Sequence, residues 1–134
     1  MHAIIALQGA LVGALNADAD LLALIGPGAV FDAPPKGRAG AYIVVARHDA
    51  LARDGDGAPG FEHRLLLHAW HDQPSRKAVL GVVERVVAVA LDAELSGAEF
   101  AVTHAEHVRT ETVIDAKTGH ARAAVTLRFF SEAG

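Results

Sequence analysis

The sequence predicts an α+β domain: a mostly antiparallel sheet of about four strands, with a long helix and an N-terminal helix packed on it. Three observations lead there. Apolar residues repeat at helical spacing in two segments, Ile4 to Leu15 and Val79 to Leu91. Four segments have the β-branched or alternating character of strands, and they come as two pairs, one on each side of the longer helix. Half of the 134 residues are hydrophobic (51%), enough for a core without disulfides or a structural metal. The length fits a single domain spanning residues 1–134.

In the first helix Ile4, Leu7, Leu11 and Leu15 share a face. No charged side chain precedes Asp18, so the far face of Ile5, Gln8 and Val12 is barely polar, whereas a surface helix normally carries a charged side. Either the helix is sandwiched within the domain or a neighbouring subunit covers it. The second reading makes Ile5, Gln8 and Val12 candidate assembly contacts. Asp18 or Asp20 caps a short helix through Leu21, Leu22 and Leu24, which Gly26-Pro27-Gly28 ends. Ala33 to Gly40, with Pro34-Pro35, is a loop, and Tyr42 to His48 is a strand.

Asp49 to Gly60 is rich in Gly, Asp and Ala and reads as a mobile loop. Arg53, Asp54 and Asp56 are its candidate contacts with a neighbouring protein. Phe61 to His71 is the second strand, and its run of Leu65, Leu66 and Leu67 predicts burial on both faces. Asp72 or Ser75 caps the long helix, which runs to about Ala93. Its solvent stripe is narrow (Lys77, Gly81, Glu84, Ala88 and Asp92, bordered by Arg85), so a wide apolar face must lie on the sheet. Phe100 to Thr112 and His120 to Ser131 form the second strand pair, joined through a turn at Asp115 to Gly119. Alternation places Ala121, Ala123, Val125, Leu127 and Phe129 on one face of the last strand, and Arg122, Thr126, Arg128 and Phe130 on the other.

No constellation for chemistry emerges. The net charge is −4, from 12 basic and 16 acidic residues, with no run of Lys and Arg, which argues against a nucleic-acid binder. The absence of cysteine excludes thiolate metal sites, disulfides and Cys nucleophiles. His68 and His71 are three apart, as are His104 and His107, but in strands that spacing sends the rings to opposite faces. His104 and Glu106 share a face, yet two ligands do not make a site. Asp54-Gly55-Asp56-Gly57 lacks the third acidic ligand and closing Glu of a calcium loop. None of Ser75, Ser96 and Ser131 lies in a G-x-S-x-G turn, and there is no glycine-rich phosphate loop. The expectation is therefore no catalytic residue, no metal and no cofactor. The apolar stretches are too short to span a bilayer. The apolar start has an A-x-A site at Ala17-Asp18-Ala19 but no preceding Lys or Arg, so the chain reads as soluble, with no membrane partner.

Taken in order, the segments resemble the tail-terminator, or tail-completion, proteins of long-tailed phages and gene transfer agents. Ala6-Leu7-Gln8-Gly9-Ala10-Leu11 and Ala19-Asp20-Leu21-Leu22-Ala23-Leu24-Ile25-Gly26 match the opening helices. Val30-Phe31-Asp32 with Pro34-Pro35 matches the family's prolyl loop, and Tyr42-Ile43-Val44-Val45, with Ala41 in place of a proline, matches its first long strand. Leu65, Leu67, His68 and Trp70, the long helix, and the turn from Asp115 to His120 complete the pattern. The resemblance spans nearly the whole chain and rests on the order and spacing of its motifs. It implies a non-enzymatic subunit that forms a ring, usually a hexamer, on the end of the tail tube. Such a ring ends tube polymerisation and meets the head-side connector at the tail–neck junction of a particle assembled in the host cytoplasm. The implied partners are other copies of the chain, the major tail-tube protein, a connector or stopper protein and the tape-measure protein, with DNA only in transit through the bore. The rival readings are a stopper-type neck protein and a small-ligand-binding or enzymatic α+β domain.

Overall fold

Leu7, Leu11 and Leu15 form the buried stripe of the first helix, α1 (Ala3–Ala17), where the four-residue repeat places them on one side. Asp18 ends α1 and starts α2 (Ala19–Ile25). Its carboxylate accepts the Leu21 amide at 2.9 Å, so Asp18, not Asp20, is the cap. The same carboxylate takes both arms of the Arg85 guanidinium, each at 2.9 Å, and ties the corner between these helices to the long helix α3 (Arg76–Asp92). Ser75, not Asp72, caps α3 by accepting from the Ala78 amide. The computed structural model describes residues 1–54, 59–97 and 99–133.

The sheet has five strands, one more than the sequence predicts. They are β1 (Val30–Phe31), β2 (Tyr42–Asp54), β3 (Pro59–His71), β4 (Phe100–Ile114) and β5 (Ala121–Ala133), in the order β1-β2-β3-β5-β4. All neighbours pair antiparallel except β1, which lies parallel to β2 at Ile43 and Val44. The extra strand is two residues long, too short for alternation to reveal it.

The second difference is larger. Asp49–Asp54 and Pro59-Gly60 are not loop but the outer arm of the β2–β3 hairpin, in register from Asp49↔Arg64 to Asp54↔Pro59. Here the helix-side positions include Ala50, half-buried, and Ala52 and Pro59, both exposed. Strands outside the core need no apolar alternation, so the pattern that marks strands elsewhere is missing. The remainder of the expected loop, 55–58 with Asp56, lies outside the described residues.

One face of the sheet carries all three helices. Leu65, Leu67 and Ala69 of β3 join Ala121, Ala123, Val125, Leu127 and Phe129 of β5 in one core with Val79, Val82, Val83 and Val86 of α3. Leu66 turns to the other face and is half-buried. On α3, Lys77, Glu84 and Asp92 are exposed as expected, with Gly81 and Ala88 half-buried. Leu80 and Leu91 are exposed too, which narrows the apolar face that the sequence assigns to this helix.

Candidate assembly surface

The face of the sheet opposite the helices gathers what the sequence scatters. Strand alternation and the observed register place Arg47, Arg53, Arg64, Arg109, Arg122 and Arg128 on it, six of the nine arginines. Five carboxylates share it: Asp49, Glu62, Glu106, Glu111 and Glu132. Glu62 is the centre. Its side chain is 0% exposed, sealed beneath the guanidiniums of Arg53, Arg64 (3.0 Å) and Arg128 (3.2 Å), which themselves reach water. The Arg64 bond, opposed by burial and helped by Arg53 and Arg128, lowers the Glu62 carboxyl to a pKa of about 2. The network runs on from Arg128 to Glu106 at 3.0 Å and from Glu106 to His104 at 3.2 Å. Arg122 lies over the Trp70 ring, 5.9 Å from its centroid.

Neither edge of the sheet is fully covered among the described residues. β1 covers β2 only at Ile43 and Val44, which leaves 46–54 open. On the other side Leu95 to Gly97 bond to the start of β4, and 103–114 are open. The β4 edge carries bulges between Val102 and His104 and between His107 and Arg109. Val108, the inserted residue of the second bulge, and Val113 are exposed along it.

A row of polar side chains crosses the interior on the helix side. Gln8 Nε2 donates to Asp32 at 2.6 Å, which fixes its amide and leaves Oε1 to accept from His48 Nδ1 at 3.4 Å. His48 Nε2 then accepts from His63 Nδ1 at 2.9 Å, and His63 Nε2 accepts the Ser131 hydroxyl at 3.0 Å. Every proton therefore points from Ser131 towards Asp32. His63 is fully buried, and burial first, then repulsion from His48 and His2, lowers its pKa to about 4. A serine hydroxyl on an imidazole is also how nucleophiles are activated. Ser131, however, sits inside a strand paired on both sides, with Phe61 and Val102 as register neighbours, not at a strand-to-helix elbow. The row joins α1, β2, β3 and β5 as a structural latch.

The candidate contacts predicted from sequence fall in three places. Ile5 is 61% exposed and overhangs an apolar cleft of about 1060 Å³ lined by Ala6, Gly9, Ala10, Phe61 and Phe100. Val12 is half-buried. Gln8 is committed to the latch within its own chain. Arg53 turns to the open sheet face and pairs with Glu62. Asp54 is the last residue of β2, in register with Pro59. Sequence alone singles out neither Glu62 with its arginines nor the His48–His63 pair. A usable signal exists for the first: Arg47/Asp49, Glu62/Arg64 and Arg109/Glu111 are opposite charges two apart, the spacing that places both on one side of a strand. The histidine pair bridges positions 48 and 63 across a hairpin register that the sequence does not fix. Among the described residues no group of three or more His, Asp or Glu is arranged to hold a metal ion.

A search of curated proteins returns no match. Among solved structures, a chain from the virion of a native gene transfer agent particle superposes with a TM-score of 0.85 at 25% identity, covering 98% of this chain and 99% of that one. The family model for tail completion protein gp17 matches residues 9–132. The chain belongs to the family of tail completion protein gp17.

Proposed function

We infer that this chain is a non-enzymatic structural subunit that closes the head-proximal end of a phage-like tail tube. Copies form a ring, six to a turn, on the last ring of tube subunits. The ring ends tube polymerisation and presents its other side to the head-side connector or stopper protein. Its further neighbours are the major tail-tube protein and the tape-measure protein, and DNA passes through the bore without being held. The end-to-end likeness to a chain of a gene transfer agent virion supports this reading most strongly. The surface agrees with it: two partly open sheet edges and an exposed apolar residue, Ile5, on the first helix are features that a subunit buries on assembly.

The test is removal of the chain from an assembling particle. The expected result is tail tubes of uncontrolled length beside heads without tails, and restoration of both by the chain supplied separately. Tubes of normal length joined to heads in its absence would contradict the reading.

A further inference from the structure

We propose that neighbouring copies join by sheet extension: the open β4 edge of one subunit pairs antiparallel with the open part of β2 in the next. The proposal rests on the ring reading and names the surface that builds the ring. Three features of the fold carry it.

The first is direction. β2, β3, β5 and β4 alternate, so β4 runs opposite to β2. A rotation about an axis close to the strand direction keeps every strand's sense. It therefore brings β4 against the neighbouring β2 in antiparallel order, and the alternation continues across the joint.

The second is charge. The open face of the β4 edge presents Glu111 and Arg109, and that of β2 presents Arg47 and Asp49. In the isolated chain each pair neutralises itself along its own strand, Arg47 with Asp49 at 2.8 Å and Arg109 with Glu111. Side by side in antiparallel register, Glu111 faces Arg47 and Arg109 faces Asp49, and the two pairs become a square of alternating charge. Sliding two residues one way sets Glu111 against Asp49, and the other way sets Arg109 against Arg47. Like charges directly opposite destabilise a strand pair, so one register is selected.

The third is closure. Pairing β4 with β4 about a two-fold axis also matches Arg109 with Glu111, but it leaves both β2 edges open and stops at a dimer. The β4-to-β2 joint uses both edges through one kind of contact and repeats around a ring.

The experiment exchanges charges on one edge and then on both. The double variant Arg109→Glu/Glu111→Arg keeps its intrachain ion pair, so folding is preserved, but it faces like charges across the joint. Rings on tube ends are counted by electron microscopy for the full chain added to purified tail tubes. The exchange is expected to weaken each joint about tenfold and to empty the tube ends. Adding Arg47→Asp/Asp49→Arg in the same chain restores opposite charges and is expected to restore the rings. Rings that form equally well with the single-edge exchange overturn the proposed joint while leaving the ring reading intact. Dimers that persist through the exchange, with no rings, overturn it in favour of the two-fold pairing. Wild-type chain that forms no ring on tube ends instead overturns the ring reading itself.

Discussion

His63 is buried without charge and Glu62 is buried with it, so acid reaches the two through different windows. An unfolded histidine takes up its proton near pH 6.5, whereas folded His63 takes it only near 4. Between those values the unfolded chain binds more protons, and stability falls as the pH drops. His48, also shifted down by burial, adds to the same slope. Glu62 is protonated near 4.5 when unfolded and near 2 when folded, so its contribution is whole above about 4.5 and is lost as the pH falls towards 2. His63→Gln keeps two hydrogen-bonding ends without a titrating group. It is expected to flatten the decline in urea midpoint between pH 6.5 and 4, and an unchanged slope there would show that the histidine pair does not titrate as the latch requires. Glu62→Gln is expected to leave that window alone and to flatten the next one, below pH 4.5. Removing the Glu62 charge also takes from Arg53 and Arg64 the carboxylate they share and leaves Arg128 with Glu106 alone, so its stability at neutral pH is expected to fall as well, read from the melting temperature. None of this was legible residue by residue. Glu62 owes its burial to arginines on β2, on β5 and two positions away on its own strand, and only the register brings them together.

The elements were legible wherever burial imposes a period. α1, α3 and the inner parts of β2, β3 and β5 sit where apolar spacing put them, because each turns one face to a shared core, and α2 sits between its Asp18 cap and the Gly26-Pro27-Gly28 stop. Val83 on α3, 4% exposed, tests that packing. Val83→Asp is expected to cost about 3 kcal/mol or more, since the charge has no partner within the core. An unchanged melting temperature would count against the helix-on-sheet arrangement. Legibility failed for the outer hairpin arm, where the same strands leave the core and carry Asp, Arg and Ala with no alternation to read. Turn chemistry was legible where a motif enforces it. Asp115 accepts from the Lys117 and Thr118 amides at 2.8 and 3.0 Å, and Gly119 takes φ 73° to close the turn before β5. In the arm, Gly60 leaves room where any Cβ would stand 2.9 Å from the Ser131 carbonyl oxygen. A Gly60→Ala chain is expected to pair β3 with β5 less well and to melt lower.

At the scale of the whole molecule the charge is sorted. The helix-free face holds six arginines and five carboxylates, while the chain as a whole is −4, so the excess acid lies elsewhere. The sequence showed no basic cluster because its arginines converge only through strand pairing. Five of the six are already bonded to carboxylates, and the sixth lies on Trp70. Guanidiniums so engaged replace few of the counterions of a DNA duplex, and that replacement is what gives non-specific DNA affinity its strength. The purified chain is therefore expected to show negligible binding of double-stranded DNA even at low salt. A gel-shift titration with micromolar, steeply salt-dependent affinity would contradict this and reopen a nucleic-acid-binding role. A cryo-electron-microscopy reconstruction of the intact particle that carries this chain tests the proposed position at the end of the tail tube. The expected result is one ring of the chain between the last tail-tube ring and the connector. Its absence from the particle, or its presence along the tube or at the far tip, would contradict the account.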